Sequence, residues 1–287
     1  MKSYQKCIAC FYKQAKRTAG LVTDDPEKLE KINRKIRNYL KGVSFKRAPA
    51  DLSTWTVKFV YNVTGCPDPY KKLKDKYNRI AKKVIPRLKK MVVNAADPVL
   101  MGLKVAVAGN IIDLGILTEF DLGGTIKKAI GGGFPLKSYK EFRKVLDRSK
   151  KILYILDNSG EIVFDRPLIE ELLKNHMVTA AVKSGPILND ATMEDAEFAG
   201  LTKITRVIKT GNSCLGVNWR LSSKAFKKAF NEADLIISKG QANYETLDGM
   251  KTRAPVFFLM QSKCPVVAKY MKAKLGEVLF LPNTDKG

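Results

Sequence analysis

Asp157 and Asn158 close the run KILYILDN at residues 151–158, where an apolar stretch leads straight into an acid and an amide. A short, nearly continuous apolar run of this kind reads as a strand buried on both faces of a parallel sheet. Ligands of open α/β sheets bind in the crevice outside the carboxyl ends of the strands, so an acid there is badly placed for a core and well placed for a site. The ends of the other expected strands add Ser184, Asn189 and Asp190, then Gly211, Asn212 and Ser213, then Lys239, Gly240, Gln241 and Asn243, then Gln261, Lys263 and Cys264. Asp157, Asn158 and Asp190 offer oxygen donors only, which suit a hard divalent cation that completes its shell with water and a ligand's oxygens. Lys239 and Lys263 add positive charge nearby. A cation with lysines is the equipment for holding a phosphate and stabilising the charge that develops as it is transferred. The same residues admit a plainer account, in which Asp190 caps the helix that follows and the lysines are solvated.

Other chemistries find less support. A dinucleotide fingerprint needs three glycines after the first strand, whereas only Gly160 is present and Asp157 would repel a pyrophosphate. Asp157 could act as a nucleophile forming a phosphoaspartate, but water attack on a metal-held phosphate is simpler. Cys7 and Cys10 put two thiols on one helical face, half of a soft-metal site, and no second pair of this kind completes it; buried cysteines filling a helix interface are the alternative. His176 is the one histidine, near the end of a helix, and Ser–His or Cys–His catalysis has little to build on. Asn110 and Asp113 share a face of an apolar helix, where they either line the site or form a buried hydrogen-bonded network.

The elements that position these residues follow from periodicity. Strands are expected at 152–156, 178–182, 206–210, 235–238, 256–260 and 278–281, alternating with helical segments. That pattern is an α/β fold with a mostly parallel sheet covered by helices. The first 130 or so residues read as helices. Asp25-Pro26, Asp68-Pro69 and Asp97-Pro98 each place a capping side chain before a proline suited to the first helical turn. A helix over 52–63 should close at Gly65, Pro86 should interrupt the helix that precedes it, and 99–117 should be a buried helix. The run Gly131-Gly132-Gly133-Phe134-Pro135 marks a junction between a helical domain, 1–135, and an α/β domain, 136–287.

The 287 residues carry 52 Lys/Arg against 28 Asp/Glu, a formal charge of +24. Residues 1–150 hold 33 basic against 13 acidic side chains, so the helical half carries an excess of 20. Such a surface attracts polyanions, which makes a nucleic-acid-binding protein with a vestigial metal site the alternative function. No aromatic interleaving or base-reading motif supports that alternative, and a lysine-rich solvated surface explains the charge equally well. The sequence has neither a signal-peptide pattern at its start nor an apolar run long enough to span a membrane, and its five cysteines form no disulfide framework; a cytoplasmic protein is expected. Nothing in the sequence bears on oligomeric state.

Seven motifs stand in one order along the chain: CIAC at 7–10, CPDPY at 66–70, AGNIID at 108–113, ILDNSGEIVFD at 155–165, GPILNDAT at 185–192, ISKGQANYETL at 237–247 and KCPVVA at 263–268. In these the chain resembles the metal-dependent damage-control phosphatases, formerly the domain-of-unknown-function eighty-nine family, and within them the stand-alone archaeal and bacterial branch with an N-terminal C-x-x-C. The resemblance implies an all-helical N-terminal domain packed on a Rossmann-like α/β/α domain, and hydrolysis of small phosphorylated metabolites with Mn²⁺, Ni²⁺, Co²⁺ or Mg²⁺. It implies that Asp157, Asn158 and Asp190 hold the metal and that Lys239 and Lys263 contact phosphate. Asn110, Asp113, Asn189 and Asn243 are then expected to line or support the pocket. The GNSCLG segment at 211–216 departs from the family pattern and bears on substrate choice.

Overall fold

The computed structural model describes residues 1–111 and 122–283. Helices come first: α1 Cys7–Gly20, α2 Pro26–Leu40, α3 Pro49–Thr64, α4 Lys71–Lys82, α5 Ile85–Val93, α6 Pro98–Ile111, α7 Leu122–Gly131 and α8 Leu136–Leu146. Strands and helices then alternate: β1 Lys151–Ile155, α9 Glu161–Leu172, β2 Met177–Val182, α10 Met193–Phe198, β3 Arg206–Lys209, α11 Lys224–Glu232, β4 Leu235–Lys239, α12 Gln241–Leu247, β5 Val256–Gln261, α13 Pro265–Met271 and β6 Val278–Pro282.

Local chemistry sets the helix boundaries. Asp25 accepts hydrogen bonds from the amides of Glu27 and Lys28, and Asp97 accepts one from Leu100, each ahead of a first-turn proline. The third expected cap is different. Asp68 accepts from the Tyr70 amide and pairs with Lys74 Nζ at 2.8 Å, and α4 starts only at Lys71. Lys74 is buried, so its ammonium claims the carboxylate that would otherwise cap. Pro86 sits in the first turn of α5, dividing it from α4, and left-handed Gly65 ends α3.

The sheet order is β3-β2-β1-β4-β5-β6, parallel throughout except for β6, which runs antiparallel to β5 at the edge. The order reverses between β1 and β4, the switch point at which doubly wound sheets open a crevice. Alternate residues feed two apolar layers. Ile152, Tyr154 and Leu156 face one with α4–α9, and Leu153 and Ile155 face the other with α11–α13. On the first face, Phe142 of α8 meets Phe257 and Phe280 edge-on at 5.3 and 5.1 Å. Such aromatic pairs contribute about 0.5–1.5 kcal/mol each beyond their burial.

The helices before β1 divide by task. α1–α3 have their own core of Phe11, Ala15, Ile36, Leu40, Leu52 and Val60. A small cluster joins Val57, Tyr61 and Tyr70 to Ile187, Leu188 and Leu215, which seats this cap over the loops after β2 and β3. α4–α8 share one continuous core with the sheet, running from Tyr77 to Phe280 across residue 135. Helix α6 lies against α9 because Gly102 and Gly109 have no side chains; a Cβ there would press on Leu168 and Phe164 at 2.9 Å. That close approach brings Asn110 to the end of β1. Among the described residues, no helix is long and apolar enough to cross a membrane.

Candidate active site

The loops after β1 and β2 are stitched to each other. Asn158 and Asp190 form an isolated antiparallel bridge, the Ala191 amide donates to the Asp157 carbonyl at 2.8 Å, and the Ser159 amide donates to the Asn189 carbonyl at 2.8 Å. Backbone pairing therefore places Asp157, Asn158, Asn189 and Asp190 side by side, although 32 or so residues separate the two segments. The Asp157 carboxylate fills the hollow above Gly240, whose φ of +82° and missing side chain are both required, since a Cβ would overlap that carboxylate.

Two amides converge on the same oxygens. Asn110 Nδ2 donates to Asp157 Oδ2 at 3.3 Å and to Glu161 Oε2 at 3.1 Å, while its Oδ1 accepts from the Gln261 amide at 2.9 Å. Asn158 Nδ2 donates to Asp157 Oδ2 at 2.8 Å and to Glu161 Oε2 at 3.1 Å. Glu161, in the first turn of α9, follows the first strand in the sequence with Asp157 and Asn158 but carries no expected role, and the structure brings it against both amides. Its position four residues before Asp165 is the signal available, because both acids then share a helix face.

Three carboxylates are gathered here under cover: Asp157 is 8% exposed, Glu161 3% and Asp190 4%. Burial, then the charges of Glu161 and Asp190, push the Asp157 carboxyl well above the ordinary carboxylate range, against the pull of Lys263 and Lys239. Burial also raises Glu161, but Lys239 and Lys263 outweigh it and hold that carboxyl below its usual value. Asp190 is pushed up to about 6 by burial, opposed by Lys183. Its Oδ2 stands 3.6 Å from Lys183 Nζ, too far for a good hydrogen bond, and has no other donor.

Lys239 is placed differently from expectation. It is fully enclosed and gives its three N–H donors to Asp165 Oδ1 at 2.7 Å, Glu161 Oε1 at 3.0 Å and the Ala106 carbonyl at 3.0 Å. It lines neither of the two cavities at the site, because its ammonium is taken up by the two buried acids on α9. Asn243 is likewise behind the wall, donating to the carbonyls of Leu156 and Lys239 at 3.2 and 2.6 Å and so tying the ends of β1 and β4. Lys263 is exposed and lines the site cavities, and buried Asn110 and half-buried Asn158 and Asn189 also contribute to their walls. Asp113 lies outside the described residues. His176 Nδ1 bonds to the Ser149 carbonyl at 2.9 Å, far down the chain from the site on the other end of α9.

The carboxylates open onto two adjoining cavities of about 580 and 490 Å³. The first is walled by Asn158, Glu161, Asn189 and Lys263 on one side and by α1 on the other. The second holds Asp157, Asp190 and Lys263 with Cys7, Cys10 and Cys264. Cys7 is buried in the cap's core and Cys10 is exposed; burial raises both thiols above their usual range. Among the described residues, no three His, Cys, Asp or Glu side chains already surround a point as a finished metal site. The oxygen-only donors nevertheless fit a hard cation. Two raised carboxyls and an Asp190 oxygen without a hydrogen-bond donor are a charge problem that a divalent cation would resolve.

The family described as "Damage-control phosphatase ARMT1-like domain" matches residues 3–279. The chain is similar to a damage-control phosphatase of Pyrococcus horikoshii, at 34% identity over 290 residues and the full length of both chains. It is similar to a damage-control phosphatase of Archaeoglobus fulgidus, at 30% identity covering 97% of this chain and 98% of that one. The crystal structure of a DUF89 family protein from Pyrococcus horikoshii matches with a TM-score of 0.91 at 34% identity, covering 99% of this chain and 100% of the other.

Proposed function

The chain belongs to the damage-control phosphatase family, and on that premise we propose that the cavity above β1 is where it hydrolyses the phosphomonoester of a small metabolite. The enzyme is a metal-dependent phosphatase of the house-cleaning type. The observation that carries the placement of its site is the convergence of Asp157, Asn158 and Asp190, from two strand ends joined by backbone bonds, onto a cavity that also contains Lys263.

Asp157, Asn158 and Asp190 would hold the cation, with Mn²⁺, Ni²⁺, Co²⁺ and Mg²⁺ as the candidates. When bound, it supplies Lewis-acid polarisation of a phosphoryl oxygen and offsets the negative charge of the carboxylates. Asn158 donates its NH₂ to Asp157 and Glu161, so its Oδ1 is the atom that would serve a cation. Asn110 and Glu161 are positioning residues: Glu161 accepts from both amides and is itself anchored by Lys239. Lys263 neutralises the phosphate as a point charge. In the reaction a water oxygen bonds to phosphorus, the ester P–O bond breaks, and the proton released from water ends on the leaving alcohol. The five cysteines are all free, which suits the reducing cytoplasm proposed as the location.

The test is phosphate release from p-nitrophenyl phosphate and a panel of sugar phosphates, nucleotides and phosphorylated cofactors, after chelation and after adding back each metal. The proposal expects release only with metal. Release that survives complete chelation, or none with any of the four metals, refutes it.

A further inference from the structure

The wall of the larger cavity that faces the carboxylates has no part in the chemistry above. Cys10, Lys13, Gln14 and Arg17 of α1 follow steps of three, one and three residues, lie along one side of the helix, and all line that cavity. The adjoining stripe of α1, with Cys7, Phe11, Ala15 and Thr18, is buried in the cap. Lys13 and Arg17 are exposed, and among the described residues neither is ion-paired to a carboxylate. The buried lysines of this chain, Lys74, Lys183 and Lys239, each have an acidic partner. Lys13 and Arg17 instead have no such partner among the described residues and share one open cavity with Glu161, Asn158 and Lys263.

Tyr70 and Tyr77 stand on the same wall but are 6% and 7% exposed, and the Tyr70 hydroxyl is hydrogen-bonded to Thr18. Neither offers a free ring face, so the wall lacks the stacking platform that would hold a nucleobase. What it offers instead is a guanidinium, an ammonium and the Gln14 amide, the groups that recognise phosphate or carboxylate. A cavity of about 580 Å³ is in the size range that encloses a small ligand.

We propose that the substrate is a compact phosphomonoester carrying a second anionic group, phosphate or carboxylate, which Lys13 and Arg17 bind while the scissile phosphate lies at Lys263 and the carboxylates. This rests on the phosphatase reading and names its substrate class. Charge-assisted hydrogen bonds to a second anion act on binding, so the preference enters through KM rather than kcat.

The test compares kcat/KM for a hexose bisphosphate against the matching hexose monophosphate, and for a phosphorylated sugar acid against the matching sugar phosphate, in the metal-loaded enzyme. Wild type is expected to prefer the doubly anionic member of at least one pair by roughly tenfold or more, beyond the twofold that a second cleavable phosphate supplies. Which pair shows the preference identifies the second group. Lys13→Gln and Arg17→Gln should each lower that ratio by about fivefold or more, and because the readout is a ratio, a general loss of activity cancels. Ratios within twofold in wild type, or unchanged in both variants, overturn the proposal, as does a nucleotide preferred over both pairs. If p-nitrophenyl phosphate is cleaved and no ratio departs from unity, the substrate class alone falls. If nothing is cleaved with any metal, the phosphatase reading falls with it.

Discussion

Replacing Lys239 by methionine separates a role in the fold from a role in binding phosphate. The ammonium is fully enclosed and is shared by Glu161, Asp165 and the Ala106 carbonyl, with Tyr154 adding a 2.7 Å hydrogen bond to the same Asp165 oxygen. Methionine keeps most of the volume and removes the charge, which strands two buried carboxylates. Breaking a buried pair in this way costs about 3–5 kcal/mol, and for a chain of this size that lowers Tm by on the order of 10 °C. The deficit depends on pH. Asp165 is already pushed up to about 6 by burial, against the pull of Lys239, and rises further without it. A carboxyl whose folded value exceeds its unfolded one stabilises the fold below the unfolded value and loses that contribution as pH rises through the folded value. The variant should therefore be closest to wild type near pH 5 and furthest from it at pH 8. Urea unfolding of the metal-stripped proteins at the two pH values reads this directly, and adding Asp165→Asn should recover part of the loss by removing a stranded charge. A Lys239→Met protein as stable as wild type at pH 8, with KM raised, would refute the reasoning and return Lys239 to the phosphate.

Three further perturbations follow from single contacts. Gly240→Ala drives a methyl into the Asp157 carboxylate and strains a backbone that only glycine adopts, costing about 1–3 kcal/mol; metal affinity by calorimetry should fall roughly tenfold or more. Lys263→Ala should raise KM about tenfold and leave metal affinity unchanged, because a lysine serves the anion and ligates no cation; equal KM values would count against it. Burial pushes Glu245 up to about 7, so its contribution to stability is present below about pH 4.5 and lost as pH rises through 7, an effect on the order of 3 kcal/mol. Glu245→Gln keeps a partner for Gln241 and removes that slope, and unfolding midpoints that fall equally with pH in both proteins would contradict the assignment.

The parts of this architecture legible in the sequence are those governed by local pattern. The six strands lie within one residue of their expected bounds, because a sheet covered on both faces demands apolar runs such as KILYI and VFFLM. Asp157 and Asn158 were visible as polar residues interrupting such a run. The roles set by distant partners were not visible. Nothing near Lys239 announces that it must neutralise Glu161 and Asp165, 78 and 74 residues away. Asp68-Pro69 looks like Asp25-Pro26 until Lys74, six residues further on, takes the carboxylate. The helical half likewise reads as one block, because periodicity shows which face of a helix is apolar but not what covers it. Only packing separates the cap of α1–α3 from α4–α8 on the sheet.

The claim on which the rest depends is that Asp157 and Asp190 hold a divalent cation between two stitched strand ends. Titrating Mn²⁺ into the metal-stripped protein by calorimetry, for wild type, Asp157→Asn and Asp190→Asn, tests it without reference to any substrate. Both variants are close to isosteric, and near-ultraviolet circular dichroism checks that each remains folded. The account predicts one site in wild type and a loss of roughly a hundredfold or more in affinity in each variant. Folded variants that bind the metal as tightly as wild type would contradict it.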